Sequence, residues 1–382
     1  MKKTRLLYYV LFLIGFAGFS FSYSQIIPFL TDMGFTAIER GYILSLSALI
    51  GIVSQFLFGI ICDKMQRTKP MLMVSLVILS VSTFITYRLN NPLFSVMLIY
   101  SALSVGFFRV TSNLLETWVY TIDEDTRQHF GVIRLFGSIG WALGAFLLGY
   151  LIKDFGYPAL SLAMFPFLGL MLLLMMPLKD SDYQEASTSF NFKDVGALLR
   201  NPQFLLVILV FFWVFLVFNM DALTVIDYMI LLGAGTEVIG FKWFLQALVE
   251  LPLMIFGAAL LIRYGLKKIV ILATVTFIIR FVGIGLTDNV NLIIAFSGLQ
   301  LISFPLILLS QKEAVNQQVP VHLRATGHLL MTSITSNIPV ILMPLISSWA
   351  YSMMEINTFI VVAGISLIIP TLLMLNYKEP KK

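Results

Sequence analysis

Apolar residues in this chain come in long uninterrupted runs, without the period-two alternation of half-buried strands. A helix needs about 20 mostly apolar residues to cross the ~30 Å hydrocarbon core of a bilayer. Runs of that kind fall near 7–30, 41–62, 70–88, 94–121, 131–153 and 157–177. A polar stretch from Lys179 to Pro202 interrupts the series, and six further runs follow near 203–231, 238–262, 269–287, 290–311, 323–350 and 356–376. The pattern predicts an all-α membrane protein with twelve transmembrane helices in two six-helix halves. The expected boundaries are 1–177 for the first half, 178–202 for a central loop, and 203–382 for the second half with a short tail. The start, Lys2-Lys3-Thr4-Arg5 before an apolar run, imitates a secretory signal. No small-residue cleavage site follows that run, so it is expected to remain as the first helix.

The basic residues then set an orientation. One alternating set of loops and both tails carry most of them, including Lys2, Lys3, Arg5, Lys64, Arg67, Lys69, Lys193, Lys267, Lys268, Lys381 and Lys382. Only Arg40, Arg88 and Lys153 fall in the opposite loops. By the positive-inside rule the central loop and both termini should face the cytoplasm. Composition agrees with a membrane protein: 59% of residues are hydrophobic and 12% charged, with a mean hydropathy of +0.92. That argues against a soluble enzyme, a disordered tail and a nucleic-acid binder. The net charge of +5 is then a topology signal, and no nucleic-acid partner is expected. A single cysteine, Cys62, excludes an internal disulfide framework and a multi-cysteine metal site. The three histidines, His129, His322 and His328, make no HExxH pattern, so neither a metal nor a cofactor is expected.

Little chain remains outside the spans, so function should lie inside the bundle. Charged side chains at mid-membrane cost about 2.5–3.5 kcal/mol each on insertion scales and usually face a partner or a watered cavity. The candidates are Arg109 and Glu116 in the fourth span, Arg134 in the fifth, and Asp221 and Asp227 in the seventh. Lys242 and Glu250 lie in the eighth span and Arg280 in the ninth. Ion pairs between helices are the plainer alternative for Asp221, Asp227 and Arg280, and Lys242 is expected to snorkel to the outer interface. Glu116 and Arg134 are equidistant from Asp125 in the connecting turn, so they should reach similar depth on antiparallel neighbours. Arg109, Asn113 and Glu116 share one helical face, and so do Arg134, Ser138 and Trp141. A carboxylate, a guanidinium fork and an indole suit a polyhydroxylated ligand, although an ion pair beside a packed Trp is the alternative. Gly137, Gly140 and Gly144 should permit close helix packing.

Two tight basic turns occupy matching places in the two halves. The first runs through Gly59, Asp63, Lys64, Arg67 and Lys69, and the second through Arg263, Gly265, Lys267 and Lys268. Together with twelve spans and a central loop, they resemble the major facilitator superfamily, with Gln66 standing where that family usually has Gly. The resemblance implies that Gly59, Asp63, Lys64 and Arg67 form a conformational loop. The run Phe130, Gly131, Arg134, Gly137, Gly140 and Trp141 resembles the fifth helix of the oligosaccharide–proton symporters, the lactose permease-like family. Gln55 and Phe58 in the second span fit the same pattern. The resemblance implies sugar binding by Arg134 and Glu116, with Trp141 beside them. Arg280 sits where the family has a ninth-helix Arg, whereas Gln300 and Ser303 stand where it has a proton-coupling His and Glu.

The expected function is secondary transport of a sugar or a comparable small polar solute, by proton symport with alternating access, in a cell membrane expected to be a bacterial plasma membrane. Glu250, on one helical face with Trp243 and Gln246, is the carboxylate expected to carry the proton, with Arg280 nearby to release it; the alternative is a permanent Glu250–Arg280 ion pair. The first rival is an efflux antiporter for drugs or organic ions, favoured by Arg109 at mid-depth in the fourth span. An intramembrane enzyme lacks a nucleophile–base or metal constellation in this sequence.

Overall fold

The computed structural model describes residues 2–90, 93–180, 196 and 198–379, apart from the side chains of residues 2–4 and 325. Lys193, Lys381, Lys382 and most of the expected central loop lie outside the described residues. Twelve helices are long and apolar enough to span a membrane. They are α1 Arg5–Asp32, α2 Ala37–Met65, α3 Lys69–Arg88, α4 Phe94–Thr121, α5 Glu124–Phe155 and α6 Tyr157–Met175. The others are α7 Pro202–Leu231, α8 Thr236–Tyr264, α9 Leu266–Gly285, α10 Val290–Gln318, α11 Thr326–Ala350 and α12 Ile356–Leu375.

Each expected span is present, but several helices are longer than their apolar runs. The fifth run suggests a start near 131, whereas α5 begins at Glu124. Asp123 caps it: the carboxylate accepts from the Thr126 amide at 2.7 Å, and the Thr126 hydroxyl accepts from the Asp123 amide. A capping box satisfies two otherwise orphaned donors, so the helix starts in polar sequence that hydropathy does not register. Thr36 and Glu39 do the same for α2. At its other end α2 stops at Gln66, whose φ of 55° is left-handed. That explains the glycine usual at this turn, because a side chain there costs about 1–2 kcal/mol. The next helix is anchored by Asp180, whose carboxylate accepts from the amides of Thr68 and Lys69 at 3.2 and 3.0 Å.

The described chain forms two compact units, Met1–Ala186 with Gly233–Leu248, and Ser187–Leu232 with Val249–Lys382. The grouping departs from the expected halves by the stretch Gly233–Leu248. In the first unit α1 packs along α5, and α2 and α3 both pack on α4. Glycine makes these contacts close. A Cβ at Gly140 would overlap the Leu13 carbonyl, and one at Gly144 would lie 2.5 Å from the Ala17 carbonyl oxygen. Between α2 and α4, a Cβ at Gly106 would stand 2.8 Å from the Ser47 carbonyl oxygen. The glycines expected to serve packing do so.

In the second unit α9 packs on α10 and α12, and α7 on α11, repeating the pairings of α3 with α4 and α6 and of α1 with α5. The internal repeat is therefore visible in the packing as well as in the loops. Among the described residues, however, α8 and α10 make no counterpart to the extensive backbone approach of α2 to α4. The helices here are also more interrupted. A 3-10 turn, Asn219–Ala222, divides α7, and a π-helical turn, Ser333–Asn337, divides α11.

Candidate functional site

The first unit brings the expected pair together. Arg134 Nε lies 2.6 Å from Glu116 Oε1, and its Nη1 donates to the Ser138 hydroxyl at 3.1 Å. The guanidinium carbon lies 4.5 Å from the centre of the Phe16 ring. Phe16 reaches that place because Gly137 leaves room for it: a Cβ there would stand 2.9 Å from the ring. The glycine groove thus places an aromatic face against the cation, a favourable contact. Despite these restraints 39% of the Arg134 side chain and 31% of Glu116 remain exposed. The fork is oriented but open to a solute.

Two turns further along α5, Trp141 begins an aromatic wall. Its ring centroid is 5.1 Å from that of Phe108 and 6.0 Å from that of Tyr23. Tyr23 in turn lies 6.0 Å from Trp243, and all four rings are only half-buried. Seven residues of helix separate Arg134 from Trp141, a rise of roughly 10 Å. Asn113 is exposed on α4, one turn before Glu116. Arg109 lies against α2, with its Cδ 3.5 Å from where a Gly51 Cβ would stand, and its guanidinium has no hydrogen-bond or ion-pair partner among the described residues. Tyr23, Phe108 and Phe16 were not among the expected site residues. Their signal in the sequence is faint, since a chain with 33 Phe and 14 Tyr offers many equally spaced rings.

The second unit holds a buried ion pair, while Lys242, grouped with the first, departs from expectation. Arg280 Nη2 forms an ion pair with Asp221 Oδ1 at 2.8 Å, the interhelical pairing that was the plainer alternative for these two residues. Asp221 sits in the 3-10 turn of α7, where the change of helical pitch alters the direction of its side chain. Arg280 is 0% exposed and Asp221 5%. The Glu250 carboxylate accepts from the Gln300 amide, so the residue standing at the family's His position touches the expected proton carrier. Ser303 is buried, its hydroxyl donating to the Leu299 carbonyl at 3.2 Å. Asp227 is buried on the last part of α7. Lys242 corrects the snorkelling expectation: it is fully buried, with Nζ 4.3 Å from the Trp243 ring centre in the first unit. A long amine flanked by an indole gains a cation–π contact in place of water.

A further polar cluster escaped the sequence reading. Gln311 on α10 donates to Thr335 and, at 3.3 Å, to Ser336, both in the π-helical turn of α11. Such turns often mark functional positions in helices. Gly59, Asp63, Lys64 and Arg67, the residues expected to form a conformational loop, occupy the end of α2 and the turn after it, with the three charged side chains exposed. Among the described residues no group of His, Cys, Asp and Glu could hold a metal ion.

Twelve spanning helices, a repeated packing plan and polar side chains held inside the apolar spans define a multi-pass membrane transporter of the major facilitator fold. The chain belongs to the MFS_1 like family, whose sequence pattern matches residues 5–361. It is 22% identical over 348 residues to a lactose permease of Klebsiella oxytoca, covering 84% of this chain and 80% of the relative. It is 26% identical over 326 residues to the putative nucleoside transporter YegT of Escherichia coli (strain K12), covering 79% and 74%. A crystal structure of the nucleoside transporter NupG superposes with a TM-score of 0.83 at 15% identity, over 98% of this chain and all of that one. That last likeness concerns the fold alone.

Proposed function

We propose that this protein carries a sugar, or a sugar joined to a second ring, across the membrane by proton symport with alternating access. The observation that carries this reading is the layout of the first unit. A partly exposed Arg134–Glu116 pair stands roughly 10 Å along one helix face from half-buried aromatic rings. Hydroxyl groups meet the charged end through charge-assisted hydrogen bonds, and a flat ring face meets the aromatic end. The relatives named as lactose permease and putative nucleoside transporter both fit a solute of that length and chemistry.

The test is a panel of disaccharides, nucleosides and aromatic acids, read as thermal stabilisation of the purified protein. A ligand of the first two classes should raise the Tm of the wild type and leave Glu116→Gln unchanged. Equal stabilisation of both proteins would remove Glu116 from the site. The basic loops are assigned to the cytoplasmic side. A cysteine placed at Lys64 should therefore resist impermeant thiol reagents in intact cells, and rapid labelling there would reverse the orientation.

Proton coupling is assigned to Glu250, held by Gln300. A rival keeps one observation in its favour, the unpartnered guanidinium of Arg109 among the described residues, which suits an organic-ion antiporter. Expulsion of a preloaded dye from vesicles by a proton gradient would support that rival.

A further inference from the structure

Where α2 and α4 close on each other in the first unit, α8 and α10 in the second leave a cavity of about 700 Å3. One wall is apolar, formed by Ala258, Leu261 and Ile262 of α8 and Leu309 of α10. Ile262 is 77% exposed and Ala258 is exposed too, whereas Leu261 and Leu309 are half-buried. At the end nearest the basic loops the lining changes to Arg263 from the last turn of α8 and Lys312 from α10. Neither cation has a hydrogen-bond or ion-pair partner among the described residues, although the Arg263 guanidinium carbon lies 5.3 Å from the Tyr264 ring centre.

The cavity also contains two carboxylates, and both already have donors. Glu379 accepts from the Lys267 amide at 2.9 Å, and Glu313 from the Gln317 side-chain amide at 2.9 Å. Asn316 is likewise engaged, its carbonyl accepting from Arg324 at 3.0 Å. The acids are thus turned to local acceptor roles, while a guanidinium and an ammonium on facing helices are left over. An apolar groove ending in two cations that lack hydrogen-bond or ion-pair partners among the described residues matches a molecule with a hydrocarbon tail and a phosphate head. Basic pockets between spanning helices are suited to anionic lipid head groups, and Arg recognises phosphate with a planar fork.

We propose that this cavity binds the phosphate of an anionic phospholipid from the leaflet beside the basic loops. The phosphate sits between Arg263 and Lys312, and an acyl chain lies along Leu261, Ile262 and Leu309. The site is lined entirely by second-unit residues and does not depend on which solute the protein carries.

The test is native mass spectrometry of the full chain, purified in detergent and titrated with phosphatidylglycerol or with phosphatidylethanolamine. Wild type should retain phosphatidylglycerol in preference to the zwitterionic lipid. The double variant Arg263→Gln, Lys312→Gln should lose about tenfold in apparent affinity for it. Arg263→Lys with Lys312→Arg should keep most of the binding, which separates loss of charge from loss of fold. Arg127→Gln, a basic residue of the first unit, should change nothing. Undiminished phosphatidylglycerol binding by the double Gln variant would overturn the site. Equal retention of the two lipids by wild type would overturn the anionic preference. Displacement of the lipid by excess inorganic phosphate alone would replace the lipid with a free phosphate as the occupant.

Discussion

Two ion pairs of similar length lie in the two units and differ in their access to water. Glu116 and Arg134 meet at 2.6 Å with about a third of each side chain exposed, whereas Asp221 and Arg280 meet at 2.8 Å with almost nothing exposed. Water or a solute can replace either partner of the first pair. Nothing outside can replace a partner of the second, because both charges have lost their hydration and depend on each other. The two pairs therefore differ in access and hardly in distance, and only the open one fits the proposed binding role.

The largest effect should come from breaking the dry pair. Asp221→Asn leaves a guanidinium buried without its counter-charge and should cost about 3–5 kcal/mol, read as a fall in Tm or folded yield. Next, Arg134→Lys keeps the charge and loses the planar fork, so uptake of the solute should fall at least about tenfold. Its stability should change by no more than about 1 kcal/mol, as expected of a partly exposed pair. Similar stability losses in Asp221→Asn and Arg134→Lys would erase the distinction drawn between the pairs. A third carboxylate sharpens it: Glu250→Gln should abolish uphill accumulation and leave downhill exchange intact, measured in vesicles with and without a pH gradient. Full accumulation by this variant would remove Glu250 as the proton carrier. The smallest effect belongs to the turn after α2, where Gln66→Gly should stabilise the protein by about 1 kcal/mol by relieving the left-handed backbone.

The same contrast explains what could be read from the sequence. Glu116 and Arg134 flank a short turn between adjacent antiparallel helices, so equal sequence distance from Asp125 translates into equal depth. Asp221 and Arg280 belong to non-adjacent spans, and a 3-10 turn shifts the facing of Asp221 away from the regular helical period. No spacing rule links such a pair. The spans themselves were legible because the bilayer imposes a length on apolar runs. Their ends were less so, because Asp123 and Thr36 extend α5 and α2 into polar sequence. The burial of Lys242 comes from its neighbours, and a lone lysine near a span end carries no trace of them. The glycines of α5 were recognised as packing residues, but their role in seating Phe16 under Arg134 needs the fold.

The contact of α1 with α5 has a consequence for how the protein is made. Arg5 binds Asp125, 120 residues later in the chain. At about 5–20 residues per second, α1 waits on the order of ten seconds for that partner. Through this interval it carries three serines and Gln25 in a mostly apolar run, each a potential liability in lipid. The serine hydroxyls need no second helix: Ser20 donates to the Ala17 carbonyl at 2.7 Å, Ser22 to Phe19 at 2.9 Å and Ser24 to Ser20 at 2.8 Å. A helix that satisfies its own polar groups can stand alone in hydrocarbon. Gln25 is the exception, because its side-chain amide donates to the Thr236 carbonyl at 3.1 Å; the serines of α1 are equipped to wait, and that glutamine is not.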